Sequence, residues 1–142
     1  MKILVTGGLG FIGSHAVVEL LDENYDVVVI DNLSNSSRDV VDKIKEITGK
    51  DIVFYEDDVL EEIFTKHDIA AVMHFAGYKA VGESVREPIM YYENNLVSTL
   101  HLCKKMLEHD CFKFIFSSSA TVYGDPEVLP ITEECKVGGT TN

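Results

Sequence analysis

The sequence predicts an α/β fold, a doubly wound parallel sheet, from three observations. Short β-branched runs alternate with helical stretches along the chain, a glycine-rich turn joins the first run to the first helix, and an acidic residue closes the second run. Right-handed crossovers then set the strand order 3-2-1-4-5 and open a crevice between the carboxyl ends of strands one and four.

Residues 1–6, Met-Lys-Ile-Leu-Val-Thr, form the first strand and run into Gly7-Gly8-Leu9-Gly10-Phe11-Ile12-Gly13. Glycines at 7, 10 and 13 let the chain turn sharply, let the backbone come against a pyrophosphate and let the helix pack close to the sheet. The helix opening at Phe11 to Ser14 aims unpaired N–H groups and the positive end of its dipole at the phosphates, so no basic residue is needed there. The spacing is G-x-x-G-x-x-G rather than the tighter G-x-G-x-x-G; the strand, helix, strand and terminal acid around it make it specific. Asp31 closes the second strand, where a carboxylate accepts both hydroxyl protons of an adenosine ribose. Asn32 and Leu33 follow with no Arg or Lys directly after the strand, which favours NAD over NADP, and Arg38 is the one residue that would unsettle this.

Ser34-Asn35-Ser36-Ser37 reads as a polar turn and cap, and Val40, Val41, Ile44 and Ile47 recur at helical spacing until Gly49 stops the run. Ile52 to Tyr55 is a third strand ending at Glu56-Asp57-Asp58, with Leu60 to Phe64 helical after it; Ala70 to Phe75 is the fourth strand. Pro88 starts the longest helix, whose apolar stripe runs through Ile89, Tyr92, Leu96, Leu100, Cys103 and Leu107, the face such a helix turns to a core. Phe112 to Phe116 is strand five. The tail from Gly138 to Asn142 stops without completing an element, so residues 1–142 are expected to be one dinucleotide-binding (Rossmann) domain, incomplete at its C-terminus, with the substrate region absent.

One domain's length buries about two-thirds of its unfolded surface. A net charge of −12 argues against nucleic acid and against anionic membrane surfaces. No apolar run approaches the length of a signal core or a membrane span, which makes a cytoplasmic protein the default. Cys103, Cys111 and Cys135 are odd in number and share no C-x-x-C spacing, so they read as small buried hydrophobes, with neither a disulfide frame nor a metal site.

Ligands of an open parallel sheet bind beyond the carboxyl ends of its strands. After strand four, small Ala76 and Gly77 would let a dinucleotide lie against the backbone and Lys79 would reach a ribose or a diphosphate; His74 reads as a satisfied core residue rather than a base. Strand five ends in Ser117-Ser118-Ser119. Each buried hydroxyl without a partner costs about 1–3 kcal/mol, so these face cofactor, substrate or solvent unless they simply cap a turn. Asn94 on the long helix is placed to bond the cofactor or brace the loops, and Asp58 to accept from an adenine amino group unless it belongs to a solvated acidic cluster with Glu56 and Asp57.

The strings Thr6 to His15, Asp31 to Ser36, His74 to Gly77, Lys79 to Ser84 and Ser117 to Asp125 resemble the extended short-chain dehydrogenase/reductases, and within them the nucleotide-sugar epimerases, over essentially the whole chain. The resemblance implies NAD held by Phe11 and Ile12, by Asp31, Asn32, Leu33, Ser34, Asn35 and Ser36 at the ribose, and by Asp58 and Val59 at the adenine. Phe75, Ala76, Gly77, Tyr78 and Lys79 would hold its middle, together with Asn94 and Ser117. It implies a UDP-sugar partner, touched by Ser119 and Lys79, with Ser119 bonding the reacting oxygen, and a homodimer when the protein is complete. The implied reaction interconverts UDP-glucose and UDP-galactose through a 4-keto sugar, a Tyr-x-x-x-Lys pair taking the 4-hydroxyl proton as hydride leaves the same carbon for the cofactor.

Here the chain departs from the pattern: Tyr123 is followed four places later by Glu127, and no tyrosine in the sequence has lysine at that spacing. The pair is expected beyond Asn142, and the 142 residues alone are expected to be inactive. Related dehydratases carry an Asp-Glu pair where this chain has Ala120-Thr121, whose methyl and hydroxyl supply no proton donor for elimination. Decarboxylases and uronic-acid epimerases differ in the region this chain lacks. A non-catalytic NAD-binding module is the alternative from another class.

Overall fold

The computed structural model describes residues 1–57 and 59–138. Its strands are β1 (Lys2–Thr6), β2 (Asp26–Asp31), β3 (Val53–Glu56), β4 (Ile69–His74) and β5 (Phe114–Phe116), all parallel, in the order β3-β2-β1-β4-β5. Strands buried on both faces are apolar along their middles, as β1 is from Ile3 to Val5 and β2 from Val27 to Ile30: Leu4 and Val28 face one side, Ile3, Val5, Val27 and Val29 the other. The first side packs against α3 (Leu60–Lys66) and α6 (Ser98–Glu108) through Leu60, Ile63, Phe64, Leu102 and Met106. The second packs against α1 (Phe11–Asp22) and α2 (Asp39–Thr48) through Val17, Leu21 and Ile44.

Register is what positions the site. Thr6 pairs with Ile30 on one side and His74 on the other, so β1, β2 and β4 end level and their loops leave from one edge. The Gly7 N–H donates to the Ile30 carbonyl (2.9 Å) and the Phe75 N–H to the Thr6 carbonyl (2.9 Å), carrying the ladder one residue past the strands before the loops part.

Strands three and four sit one residue away from the expected spans, and β5 is two residues shorter at its start. Gly49 ends α2 in the left-handed conformation (φ 69°), as the spacing predicts. Two expectations are corrected. In α2, Ile44 is 2% exposed but Ile47 is 70% exposed, because the helix is tangent to the sheet for only one turn of its apolar stripe. After the short α4 (Val81–Arg86), the long helix is α5 (Pro88–Tyr92), a π-helical turn (Glu93–Val97) and α6, and the stripe through Ile89, Tyr92, Leu96, Leu100 and Leu107 is more than half exposed. The helix buries Tyr91, Leu102 and Met106 instead. Cys111 is buried, and burial pushes its thiol pKa up, whereas Cys103 and Cys135 are half-buried. No described helix is long and apolar enough to cross a membrane.

The two isoleucines of α2 separate the buried from the exposed part of the stripe. Ile44→Ala should cost about 2–5 kcal/mol by urea unfolding, and Ile47→Ala should stay within about 0.5 kcal/mol. Comparable losses at both positions would contradict this placement of α2.

Candidate cofactor site

Where the level strand ends part, a cavity of about 530 Å³ opens, within the size range of small-molecule sites. Its walls are the glycine turn (Gly7, Gly10, Phe11, Ile12, Gly13), the loop after β2 (Asp31, Asn32, Ser34, Asn35), the loop after β4 (Phe75, Ala76, Gly77, Tyr78, Lys79) and Asn94 of the π-turn. These stretches, far apart in sequence, are the ones singled out above.

The glycine turn is held tightly. Gly7 has φ +65°, and a Cβ on it would lie 2.7 Å from the Ala76 backbone nitrogen; a Cβ on Gly13 would lie 2.2 Å from the Gly7 carbonyl oxygen. The first demand is conformational and the second is close packing of α1 on the turn. Gly10 is the N-cap of α1 and no side chain caps the helix, which leaves first-turn N–H groups facing the cavity for an acceptor from outside the chain.

Asp31, only 7% exposed, binds the turn to the next loop. One carboxylate oxygen accepts from the Leu9 N–H (3.0 Å); the other accepts from the Leu33 N–H (3.0 Å) and the Ser36 hydroxyl (2.7 Å). Leu33 and Ser36 therefore shape the site from off the cavity lining, Leu33 with its side chain against the core. A carboxylate has about four lone-pair sites, so capacity remains for a ligand hydroxyl. Arg38 is drawn away: its guanidinium pairs with Glu56 (3.2 Å) and lies 5.5 Å from the Phe54 ring centroid.

On the other wall, His74 is buried and fully bonded. Thr99 donates to the Asn95 carbonyl (2.7 Å), which commits its only proton, so His74 donates from Nε2 to Thr99 Oγ1 (2.9 Å) and accepts at Nδ1 from the Thr6 hydroxyl (2.6 Å). This neutral imidazole ties β1, β4 and the long helix together, and burial lowers its pKa below 6.5.

Several expected residues stand elsewhere. Ser117 is half-buried and its N–H extends the ladder to the His74 carbonyl (3.1 Å), off the cavity lining. Ser119 is exposed and caps the 3₁₀ turn Ala120–Tyr123, accepting from the Thr121 N–H (3.2 Å), with the Thr121 hydroxyl 2.8 Å away. Val59 packs against the core beside α3, Asp57 lines the cavity, and Asp58 lies outside the described residues. Thr6, Ile30, Leu60, Ser98 and Leu102 line the cavity without having been anticipated. Thr6, Ile30, Leu60 and Leu102 are ordinary buried residues and Ser98 an exposed helix residue, and their only signal is the position of a strand end or helix face. Among the described residues no His, Cys, Asp and Glu cluster could hold a metal ion.

The NAD dependent epimerase/dehydratase family matches residues 3–142. Curated relatives include the UDP-glucose 4-epimerases of Pasteurella multocida, 57% identical over 147 residues, and Bacillus subtilis, 56% identical over 145 residues. The matches cover 100% and 99% of this chain and 44% and 43% of the relatives. Among solved structures, Bifidobacterium longum UDP-glucose 4-epimerase in complex with NAD+ and UDP superposes with a TM-score of 0.94 at 54% identity. The Stenotrophomonas maltophila UDP-glucose 4-epimerase, with bound NAD and formylated UDP-arabinopyranose, superposes with a TM-score of 0.93 at 40% identity. The alignments cover 100% and 99% of this chain and 44% of each of those chains. The chain thus spans less than half the length of these relatives.

A buried neutral histidine makes stability depend on pH with a definite sign. The folded pKa of His74 is depressed, so its contribution is complete above the unfolded value near 6.5 and is lost as pH falls from there through the folded value. His67, also lowered, by burial and by the Lys2 and Lys66 charges, adds to the same trend. Between about pH 7.5 and 5.5, urea unfolding should show a loss of stability that shrinks in His74→Gln; an undiminished loss would contradict the buried neutral imidazole.

Proposed function

Because the chain belongs to the NAD-dependent epimerase/dehydratase family, we propose that it is the NAD-binding domain of a UDP-glucose 4-epimerase. The observation that carries this reading is Asp31, a buried carboxylate with spare acceptor capacity on the floor of the cavity between the glycine turn and the β4 loop. It would accept from an adenosine ribose hydroxyl and repel a 2′-phosphate. The uncapped N-terminus of α1 would take the diphosphate, with Phe11 and Ile12, both exposed at its first turn, bordering the same space. Lys79 is the one lysine or arginine on the cavity lining among the described residues, and it would meet the cofactor or the sugar nucleotide. Asn94 would bond the cofactor's middle from the π-turn. NAD supplies a reversible acceptor for hydride from the sugar's C4.

What the chain's own residues do in this scheme is bind and orient. Its sequence holds no Tyr-x-x-x-Lys pair, so the base that removes the 4-hydroxyl proton belongs to the remaining length that the relatives have. Ser119, at the exit of β5, would then bond the reacting oxygen. The exposed stripe of the long helix supports a homodimer, since Ile89, Leu96, Leu100 and Leu107 are each more than half exposed and apolar. The reading carries with it galactose metabolism in the cytoplasm and no nucleic-acid partner.

Calorimetry should show NAD binding more tightly than NADP, and Asp31→Ala should cost about 1.5–3 kcal/mol of NAD affinity. Equal binding of the two cofactors, or an unaffected variant, would count against the ribose role. The chain by itself should not turn over UDP-galactose; turnover in a preparation free of host enzyme would mean that a different group supplies the base.

A further inference from the structure

The loop that carries Lys79 belongs to no strand or helix, yet the peptide groups on both sides of that residue are gripped from the long helix. Asn95 holds Tyr78 at both ends: its Oδ1 accepts from the Tyr78 N–H (2.8 Å) and its Nδ2 donates to the Tyr78 carbonyl (2.9 Å). One helical turn earlier, the Tyr91 hydroxyl accepts from the Ala80 N–H (3.1 Å) and lies 3.1 Å from the Ala80 carbonyl oxygen. Its proton goes to the Glu83 carboxylate, the shorter and charge-assisted partner (2.7 Å). Lys79 is the residue between the two grips.

We propose that Tyr91 and Asn95 are positioning residues that clamp the backbone on either side of Lys79 and thereby hold its ammonium at the cofactor cavity. Four observations support the clamp. Tyr91 is 8% exposed, and its ring lies 5.5 Å from that of Tyr78, so the phenol approaches Ala80 from a fixed direction. The Asn95 amide is itself held, with Asn94 Nδ2 donating to its Oδ1 (2.9 Å). The π-turn places Asn94 on the cavity lining and its neighbour Asn95 on the loop, and hydroxyls of Ser98 and Thr99 donate to the carbonyls of Asn94 and Asn95. Lys79 itself is exposed on the cavity lining with no ion-pair partner among the described residues, so no opposite charge there directs its ammonium. Ordering a lysine costs side-chain entropy, and a fixed backbone reduces what a ligand must supply.

The inference rests on the reading of Lys79 as a ligand of the cofactor, and a double-mutant cycle separates the two. Calorimetry of NAD with the full chain is run on Lys79→Ala, Asn95→Ala, Tyr91→Phe and the pairwise combinations with Lys79→Ala, each at several salt concentrations. Lys79→Ala and Asn95→Ala should each weaken binding by about tenfold. The double variant should be no more than about twofold weaker than Lys79→Ala alone. The clamp variants should also lose the salt dependence that Lys79 brings, which a residue acting on fold alone would leave in place. Tyr91→Phe keeps the buried ring and carries the same test if Asn95→Ala melts early. Additive losses with unchanged salt dependence would overturn the clamp. An unaffected Lys79→Ala would overturn it by removing its premise while leaving NAD binding through Asp31 intact, and no binding by the unmodified chain would sink the cofactor reading itself.

Discussion

The site depends first on the carboxylate of Asp31. A buried charge is tolerated only where hydrogen bonds replace its hydration. Here the Leu9 and Leu33 N–H groups and the Ser36 hydroxyl do so, one from the glycine turn and two from the loop after β2. The two loops are thereby fixed to one point at the end of β2 and to each other. The same group that would select the cofactor's ribose also holds the geometry into which that ribose would fit, so recognition and local stability are one interaction.

A second anchor acts on the opposite wall. Neutral His74, bonded to Thr6 and Thr99, joins β1, β4 and the long helix at the level where the loops diverge. The glycine turn is closely packed between these anchors, with Gly7 backed onto Ala76 and Gly13 onto Gly7. The cavity is thus largely preformed, which lowers the ordering cost of taking up a long flexible ligand.

Most of the fold was legible because it rests on local patterns. Strand order, the glycine turn, the left-handed stop at Gly49 and the acid closing β2 all follow from β-branched runs, glycine spacing and right-handed crossovers. The faces of the helices were less legible. A stripe of apolar residues shows that some surface will be covered but not what covers it, and in the long helix the apolar stripe faces outward while Tyr91, Asn95, Thr99, Leu102 and Met106 face the sheet and loops. The π-turn, which turns Asn94 and Asn95 to their separate tasks, has no sequence signature of its own. The serines after β5 divide in the same way: three hydroxyls in a row announce a polar exit, and the structure has Ser119 capping a turn and Ser117 extending the ladder.

By itself the sequence determined the order of elements and the chemistry available at the crevice, because backbone conformation and alternating burial are set over a few residues. Tertiary structure alone decided which residues meet. Arg38 is drawn off to Glu56 and Phe54, Asp31 reaches back to Leu9, and Asn95 and Tyr91 take hold of the loop around Lys79. Those pairings join positions apart in sequence that meet only once strands, loops and the long helix pack against one another.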